Sequence, residues 1–274
     1  SIITMASLSA PRAQNEYGVS YYFLLRQIIW LTVGWLGFLF TANFNYKKYG
    51  EITKYLYVAG AFSLVMVLVI GKTVNGAKRW VDLGMGVVIQ PSEFVKLILI
   101  IVLSTLVYNL KIQNKISKYP WLSSIVIMGT TGIYMFLIFF EKSFSNTAQI
   151  AIIGFTYLLV SEIKFSVIGF YAILTGIAGW FSVMKVGYRA SRIAAHTSKN
   201  IGFQTSQSLI AIANGRLTGK FYGNGLQKYG FLPEIHTDYI FSGYAEENGF
   251  LGVVFLLGLY AALLVIIGVA LKKI

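Results

Sequence analysis

The sequence predicts an all-α fold, a polytopic bundle of transmembrane helices. Hydrophobic residues make up 56% of its 274 residues and charged residues only 12%, whereas a soluble domain carries about 25% charged residues. Many apolar windows of roughly 20 residues are long enough to cross the hydrocarbon core of a bilayer as helices. The strands of a transmembrane barrel would instead give alternating segments of about ten residues.

About eight helices are expected, of which the first is partial. The apolar windows lie near residues 1–9, 21–42, 53–71, 91–109, 121–140, 146–161, 165–184 and 241–271. Because the sequence shows no repeat of fixed period and no low-complexity stretch, we expect a single membrane domain over residues 1–274. The polar segment 185–240 is interpreted as a large extracytoplasmic loop of that domain, between its seventh and eighth helices.

The distribution of lysine orients this bundle in the membrane. Basic connections alternate with less basic ones, and their lysines are Lys47, Lys48, Lys54, Lys111, Lys115, Lys118, Lys164, Lys272 and Lys273. Cytoplasmic loops carry an excess of Lys and Arg, so these connections are placed inside. The segments left outside are 10–20, 72–90, 141–145 and 185–240. Two of them, 72–90 and 185–240, are themselves basic, which indicates either a solvated surface or an anionic ligand at the outer face.

Composition also excludes several functions. The net charge of +13 suits anionic lipid or an anionic substrate, and nucleic acid is a poor third option because no soluble basic domain exists to bind it. The absence of Cys excludes disulfides, thiolate catalysis and Cys-based metal sites. Two distant His residues and the absence of an Asp-x-Asp pair leave no recognisable metal cluster. No cofactor is therefore evident, although a divalent cation stays open.

The segment 233–241 (PEIHTDYIF) is the strongest candidate for a functional site. It holds one of the two Asp and one of the two His residues of the chain, where the long polar loop meets the last apolar run. The carboxylate of Asp238 could therefore reach a water-soluble head group while its helix lies in lipid. An Asp at the start of a helix is more commonly a cap. A capped carboxylate is also held ionised, as a general base must be.

Two further patterns accompany this segment. Asp238, Ser242, Ala245, Gly249 and Gly252 share one helix face, and such a stripe of small residues favours close helix packing over an acyl-chain groove. The Gly-rich stretch 215–225 should turn tightly and expose backbone N–H groups. Its composition resembles a phosphate-binding nest, but an ordinary outer loop is the more common explanation.

Other polar groups lie at or inside the predicted membrane boundary. Glu93 and Lys96 are three residues apart on one helix and can pair. Lys96 lies about one turn into the membrane, where a cation should face protein or water; a structural ion pair and a substrate-binding cation are equally weighted. Residues 76–84 mix cations, a Trp and turn residues, as an interfacial segment does. Glu246 and Glu247 lie two turns into the last helix, so at least one of them needs a partner or a cavity.

Taken together, these segments resemble the shape, elongation, division and sporulation family, that of RodA and FtsW. The matching pieces are 76–83 (GAKRWVDL), 90–96 (QPSEFVK), 207–220 (QSLIAIANGRLTGK), 232–241 (LPEIHTDYIF) and 246–250 (EENGF). They occur in the family's order, cover essentially the whole chain, and are most specific at 232–241. The segment 224–228 (NGLQK) favours the FtsW-like division branch over the RodA-like branch.

The resemblance implies a peptidoglycan glycosyltransferase that polymerises lipid II at the outer face of the bacterial cytoplasmic (inner) membrane, during cell division or elongation. Implied partners are a class B penicillin-binding protein transpeptidase and other divisome or elongasome membrane proteins. By resemblance, Asp238 is the general base that deprotonates the acceptor sugar, with inversion at C1 of the donor and undecaprenyl pyrophosphate as leaving group. The residues expected to bind substrate are Arg79, Trp80, Glu93, Lys96, Gln207, Ser208, Lys220, Glu234, His236, Thr237 and Glu246. From charge and position, Arg79, Lys96 and Lys220 are the cations expected at the pyrophosphate.

The sequence departs from the family pattern in two places. Residues 143–147 (SFSNT) stand where the family usually has Pro-Asp-x-Gly-Thr, so that Asp is missing and Glu141 is considered as its substitute. The chain also has about eight helices where the family has ten, and it is interpreted as truncated at both ends. Two alternative functions stay open: a lipid II flippase, which needs no general base, and a non-catalytic scaffold that activates the transpeptidase.

Overall fold

A computed structural model describes residues 1–45, 47–74, 77–82, 84, 87–184 and 202–272. The helices in these ranges are α1 (Ile2–Tyr17), α2 (Tyr22–Asn43), α3 (Lys47–Ile70), α4 (Pro91–Ile112), α5 (Lys115–Lys118), α6 (Pro120–Phe140), α7 (Phe144–Val160), α8 (Phe165–Met184), α9 (Phe203–Gly215) and α10 (Ile240–Leu271). Each predicted apolar window coincides with a helix, so the predicted helical bundle is confirmed. The short helices α5 and α9 were not predicted.

Five of the described helices are long and apolar enough to cross a membrane: α2, α3 from Lys48 onward, α4, α6 and α10. Helices α7 and α8 are apolar over shorter lengths. The sequence did not predict the three short strands β1 (Lys72–Val74), β2 (Ala77–Asp82) and β3 (Val88–Ile89). They form one antiparallel sheet in the order β1-β2-β3, and all three lie in the segment 72–90 that was expected outside the membrane.

The chain divides into two compact units. One consists of Ser1–Asn43 with Gly187–Ile274, and the other of Phe44–Val186. The first unit contains α1, α2, α9 and α10, and the second contains α3 to α8 and the sheet. The single domain expected over 1–274 stays a prediction. Of the expected outer loop 185–240, residues 185–201 lie outside the described residues.

Helices α3 and α6 of the second unit cross closely through a pair of tyrosines. The fully buried ring of Tyr134 stacks on Tyr57 with 4.7 Å between ring centroids. The Tyr134 hydroxyl donates to the carbonyl of Tyr57, and the Tyr57 hydroxyl donates to the carbonyl of Thr130, both at 2.8 Å. A side chain at Gly60 would overlap the Tyr134 hydroxyl. Interhelical hydrogen bonds and a small residue at the crossing are what allow helices to associate in lipid.

Helices α9 and α10 of the first unit pack through the predicted stripe of small residues. The hydroxyls of Ser208 and Ser242 are hydrogen-bonded at 2.8 Å, and Ser242, Ala245 and Gly249 are buried. A Cβ atom at Gly215 would overlap the backbone of Ala245. The packing interpretation of this stripe is therefore confirmed at these three buried residues.

Helix α10 is broken at Gly249, whose backbone (φ 65°, ψ −169°) is not helical. The loop that follows α9 enters the break. The N–H of Phe250 donates to the carbonyl of Arg216 at 2.9 Å, and the N–H of Leu251 donates to that of Leu217 at 3.1 Å. The N–H of Lys220 donates to the carbonyl of Glu246 at 3.0 Å. Backbone groups that the break would leave unpaired are thus satisfied from the loop, as a broken helix in a membrane protein requires.

We expect Gly249→Ala to destabilise the protein by about 1–3 kcal/mol or more. The conformation of Gly249 belongs to a region that only glycine adopts readily, and an added Cβ would overlap the loop at Leu217 and Gly219. Thermal unfolding of the detergent-solubilised protein measures the loss. Gly258→Ala on the same helix is the control, because no atom lies within 4 Å of the added Cβ. Equal melting temperatures for the two variants would contradict this account of the break.

Candidate functional site

Asp238 lies in the turn that leads into α10. Its side chain is exposed, and in the described part of the chain it makes no hydrogen bond and no ion pair. The N-cap of α10 is Tyr239, and no side chain caps this helix. The expectation that Asp238 caps the last helix is therefore wrong, because the chain enters the helix one residue later. The carboxylate is left free for an external donor.

The turn that carries Asp238 is held by Glu234. The backbone of Glu234 is left-handed (φ 56°), and its carbonyl accepts the N–H groups of Thr237 at 3.2 Å and Tyr239 at 3.3 Å. Its carboxylate accepts a guanidinium N–H of Arg12 at 2.6 Å, and this contact holds the pKa of the Glu234 carboxyl below its ordinary value. Arg12 on α1 thus fixes the turn from outside the predicted segment. Sequence reasoning missed it, and its only signal was a cation within the predicted outer segment 10–20.

His236 is the buried member of the same turn. Its ring lies 4.7 Å from that of Phe23, centroid to centroid, and its Nδ1 has no hydrogen-bond partner among the described residues. Burial lowers the pKa of the imidazole below its ordinary value, and the Arg12 guanidinium adds to this effect. The ring is therefore neutral at neutral pH, so it would contribute packing and a hydrogen bond rather than positive charge.

The carboxylate of Glu246 is fully buried and is bound by the loop that follows α9. It accepts Lys220 Nζ at 3.0 Å and the backbone N–H groups of Leu226 and Gln227, each at 3.1 Å. Left-handed backbone at Arg216, Gly219, Phe221 and Gly223 shows the tight turns predicted for 215–225. The anion cradled by backbone amides at this loop is thus a carboxylate of the chain itself.

Glu247 forms a second buried ion pair beside the first. Its Oε1 accepts Lys228 Nζ at 2.9 Å and also the hydroxyl of Ser7, which in turn accepts from Lys228 at 2.8 Å. All three side chains are buried. The prediction that Glu246 or Glu247 must find a partner is confirmed for both. Ser7 and Lys228 were missed because 221 positions separate them in the sequence, which no local pattern can show.

A second group of polar side chains lies at the start of α4 and α7, in the other unit. Lys96 Nζ pairs with Glu93 at 2.7 Å, as predicted, and donates to Gln149 Oε1 at 2.6 Å. Asn146, buried in the segment that departs from the family pattern, donates to Ser92 Oγ at 3.0 Å. The carboxylate of Glu93 is more than half exposed and the Lys96 side chain only 18%. The ammonium is therefore held within the protein by two oxygens.

Arg79 joins strand β2 to the turn between α6 and α7. Its guanidinium donates to the backbone carbonyls of Glu141, at 3.2 Å, and Lys142. The Glu141 side chain is buried, and both of its carboxylate oxygens lack a hydrogen-bond partner in the described ranges. Burial raises the pKa of Glu141 to about 7, against the opposing effect of Arg79. Its role as a substitute for the missing Asp stays a prediction.

The structure thus places the predicted site residues in two groups. The first unit holds Gln207, Ser208, Lys220, Glu234, His236, Thr237, Asp238 and Glu246. The second unit holds Arg79, Trp80, Glu93 and Lys96. Within the described ranges, no three His, Asp or Glu side chains are grouped so that they could hold a metal ion.

The fold defines a multi-pass helical membrane protein with a free carboxylate at the start of its last long helix. Residues 1–273 match the FtsW, RodA and SpoVE family, described as cell cycle protein, and the chain belongs to this family. It is 30% identical to the probable peptidoglycan glycosyltransferase FtsW of Coxiella burnetii, over 96% of this chain and 72% of that protein. It is 32% identical to the probable peptidoglycan glycosyltransferase FtsW of Marinobacter nauticus, over 96% of this chain and 67% of that protein. The predicted family is confirmed, and these names favour the FtsW-like branch.

Two solved structures share the fold. One chain, from a study of the structural coordination of polymerization and crosslinking by a peptidoglycan synthase complex, gives a TM-score of 0.68 at 23% identity, over 96% of this chain and 73% of that chain. The rod shape determining protein RodA of Thermus thermophilus gives a TM-score of 0.58 at 21% identity, over 96% of this chain and 71% of that chain.

We expect Glu247→Gln to destabilise the protein by about 3–5 kcal/mol, because it leaves the buried ammonium of Lys228 without a counter-charge. Adding Lys228→Met should recover most of the loss, since the double variant has no charge at this pair. Thermal unfolding in detergent compares them with Lys72→Met, which breaks an exposed pair with Asp82 and should cost less than about 1 kcal/mol. A Glu247→Gln variant as stable as Lys72→Met would show that the buried pair does not support the fold.

The raised pKa of Glu141 predicts a pH-dependent cost in stability. The folded protein keeps the proton up to about pH 7, whereas the unfolded chain releases it near 4.5. The folded state binds more protons between these values, so this group destabilises the protein progressively across that window and fully above it. The free energy of unfolding, measured at several pH values, should rise for Glu141→Gln relative to the wild type between pH 4.5 and 7, by about 3 kcal/mol. Glu51→Gln, at an exposed carboxylate on α3, is the control, and a pH-independent difference for Glu141→Gln would refute the assignment.

Proposed function

We propose that this chain is a peptidoglycan glycosyltransferase that polymerises lipid II into glycan strands, with Asp238 as its general base. The observation that carries the proposal is the exposed, unpaired carboxylate of Asp238, held by a fixed turn at the start of a long apolar helix. Membership of the FtsW, RodA and SpoVE family and the names of the FtsW relatives support it.

In the proposed reaction, Asp238 accepts the proton of the acceptor sugar hydroxyl as that oxygen attacks C1 of the donor sugar. The new glycosidic bond forms while the bond from C1 to the pyrophosphate oxygen breaks, and its electron pair leaves with undecaprenyl pyrophosphate. Attack from the face opposite the leaving group inverts C1. A general base must reach the proton that it removes, and a carboxylate without an internal donor is free to do so.

Of the three predicted cations, Arg79 has the contacts best suited to binding a pyrophosphate. Its guanidinium donates to two neutral backbone carbonyl oxygens, and no carboxylate of the described residues lies within ion-pair distance of it. Lys96 and Lys220 each lie beside a carboxylate, that of Glu93 or Glu246, which an incoming anion would have to displace. A fixed cation stabilises developing negative charge most where no internal anion already neutralises it.

The proposed location is the outer face of the bacterial cytoplasmic membrane, where positive-inside loops would place 72–90, 141–145 and the turn of Asp238. The proposed partner is a class B penicillin-binding protein transpeptidase. This partnership is supported by the likeness to a chain from a peptidoglycan synthase complex. Other division or elongation membrane proteins are expected beside it.

We expect Asp238→Asn to lower the rate of glycan polymerisation by about 10²–10⁴-fold, the usual contribution of a general base. Purified protein with its transpeptidase partner is supplied with lipid II, and glycan strands are resolved on gels. Asp82→Asn, at the only other Asp of the sequence, should leave the rate unchanged. Asp238→Asn should keep the wild-type melting temperature and partner binding, because the Asp238 side chain makes no hydrogen bond or ion pair among the described residues. Asp82→Asn weakens only exposed contacts with Lys72 and Gly84 and should cost less than about 1 kcal/mol.

Unchanged glycan strands from Asp238→Asn would end this proposal and favour the flippase or the scaffold, neither of which needs a base. Repeating the wild-type assay with a chelator tests for the divalent cation that the sequence leaves open.

A further inference from the structure

A cavity of about 370 Å³ lies at the end of the second unit where α4 and α7 finish. This volume falls within the range of about 300–1,000 Å³ typical of ligand sites. Its lining residues are Lys111, Asn114, Ile116, Ser117, Pro120, Ser161, Glu162, Ile163 and Lys164. Arg79 binds the opposite end of α6, which is 21 residues or about 30 Å long. Within this unit the cavity is therefore separate from Arg79 and the turn that it binds.

The side chains around this cavity make it positive. Lys111 and Lys164 line it, and Lys115 and Lys118 lie on α5 beside it, against the single carboxylate of Glu162. The helix dipoles add little, because α4 and α7 finish at this end while α6 and α8 begin there. The side chains therefore set the local field, which favours an anion.

Its polar groups are available to a ligand. Lys111 pairs with Glu162 at 2.8 Å, but both side chains are well exposed, and an exposed ion pair is weak enough to exchange for another anion. The Asn114 and Ser117 side chains and Lys164 Nζ have no hydrogen-bond or ion-pair partner among the described residues. The ammonium of Lys164, the amide of Asn114 and the hydroxyl of Ser117 can therefore donate hydrogen bonds to a ligand. Lys111 supplies a second ammonium.

The surface next to the cavity is apolar and exposed. Ile112, Trp121, Leu122 and Phe165 are each at least half exposed and lie at the ends of the helices that surround the cavity. Trp at such a position is typical of the boundary between head groups and acyl chains. A ligand with a phosphate in the cavity could therefore lay acyl chains along these residues, which a soluble phosphate could not.

We propose that this cavity binds the phosphate of an anionic phospholipid head group. Basic pockets between transmembrane helices bind such head groups in other membrane proteins. Lys111 and Lys164 contact the phosphate, Asn114 and Ser117 add hydrogen bonds, and the Glu162 carboxylate swings away from Lys111 as the anion enters. The site does not depend on the chemistry proposed for Asp238.

Native mass spectrometry of the purified protein, titrated with phosphatidylglycerol, cardiolipin or phosphatidylcholine, tests this site. We expect the anionic lipids to be retained over phosphatidylcholine. Lys111→Gln with Lys164→Gln should weaken that retention by at least about tenfold. Lys115→Gln with Lys118→Gln removes the same charge from the same end of the unit without touching the cavity lining, so it should change retention by less than about twofold. Glu162→Gln should strengthen it, because a competing carboxylate is lost.

Competition with inorganic phosphate separates the two sources of the anion. Phosphate at millimolar concentration should leave bound phosphatidylglycerol in place if acyl chains contribute, as proposed. Displacement of phosphatidylglycerol by millimolar phosphate would instead assign the cavity to a soluble phosphate compound and would overturn the proposed lipid. Equal losses in the two double-lysine variants, or no preference for anionic lipid, would show that only the general charge of this end matters and would overturn the site altogether.

Discussion

Two adjacent buried carboxylates, Glu246 and Glu247, support the architecture of the first unit. Charges inside a membrane protein are tolerated only when they are paired, and each of these carboxylates recruits a different lysine of the loop that follows α9. The loop can come close enough because α10 is broken at Gly249 and because glycines replace side chains at the contact. Ion pairs, glycines and helix break therefore depend on one another, and together they hold the loop that follows α9 against α10.

The second unit is organised differently. Its core is a conventional apolar contact among α3, α4, α6 and α7, reinforced by the reciprocal hydrogen bonds of Tyr57 and Tyr134. Polar groups collect at both ends of this bundle. One end carries Arg79, Glu141 and Lys96, and the other carries the cavity lined by Lys111 and Lys164. The second unit thus carries cations that could bind an anion at both ends, about 30 Å apart along its helices.

Hydrophobic windows were sufficient to locate the five helices that can span a membrane and also α1, α7 and α8, because length and apolarity alone decide whether a segment can span a bilayer. The pairing of Glu93 with Lys96 followed from helical spacing, and the small-residue stripe on α10 was correctly assigned to packing. The cap at Asp238 was wrong because the turn at Glu234 delays the helix by one residue. The short sheet at 72–89 and the partners Ser7, Arg12 and Lys228 were missed, since tertiary pairing selects them and no periodicity marks them. The catalytic assignment of Asp238 came from family resemblance, with local pattern adding only its position.

The contact of Ser7 with Glu247, 240 positions apart, bears on how the protein is made. The first unit is discontinuous in sequence, and the whole of the second unit is synthesised between its two parts. Helix α1 leaves the ribosome long before Lys228 and Glu247 exist, so the buried hydroxyl of Ser7 and the contact of Arg12 with Glu234 must wait for residues that are made only after the second unit. Contacts of such long sequence separation form late. The turn that carries Asp238 can therefore form its contact with Arg12 only after the whole second unit has been synthesised. A partly synthesised chain does not yet hold this carboxylate in its final position.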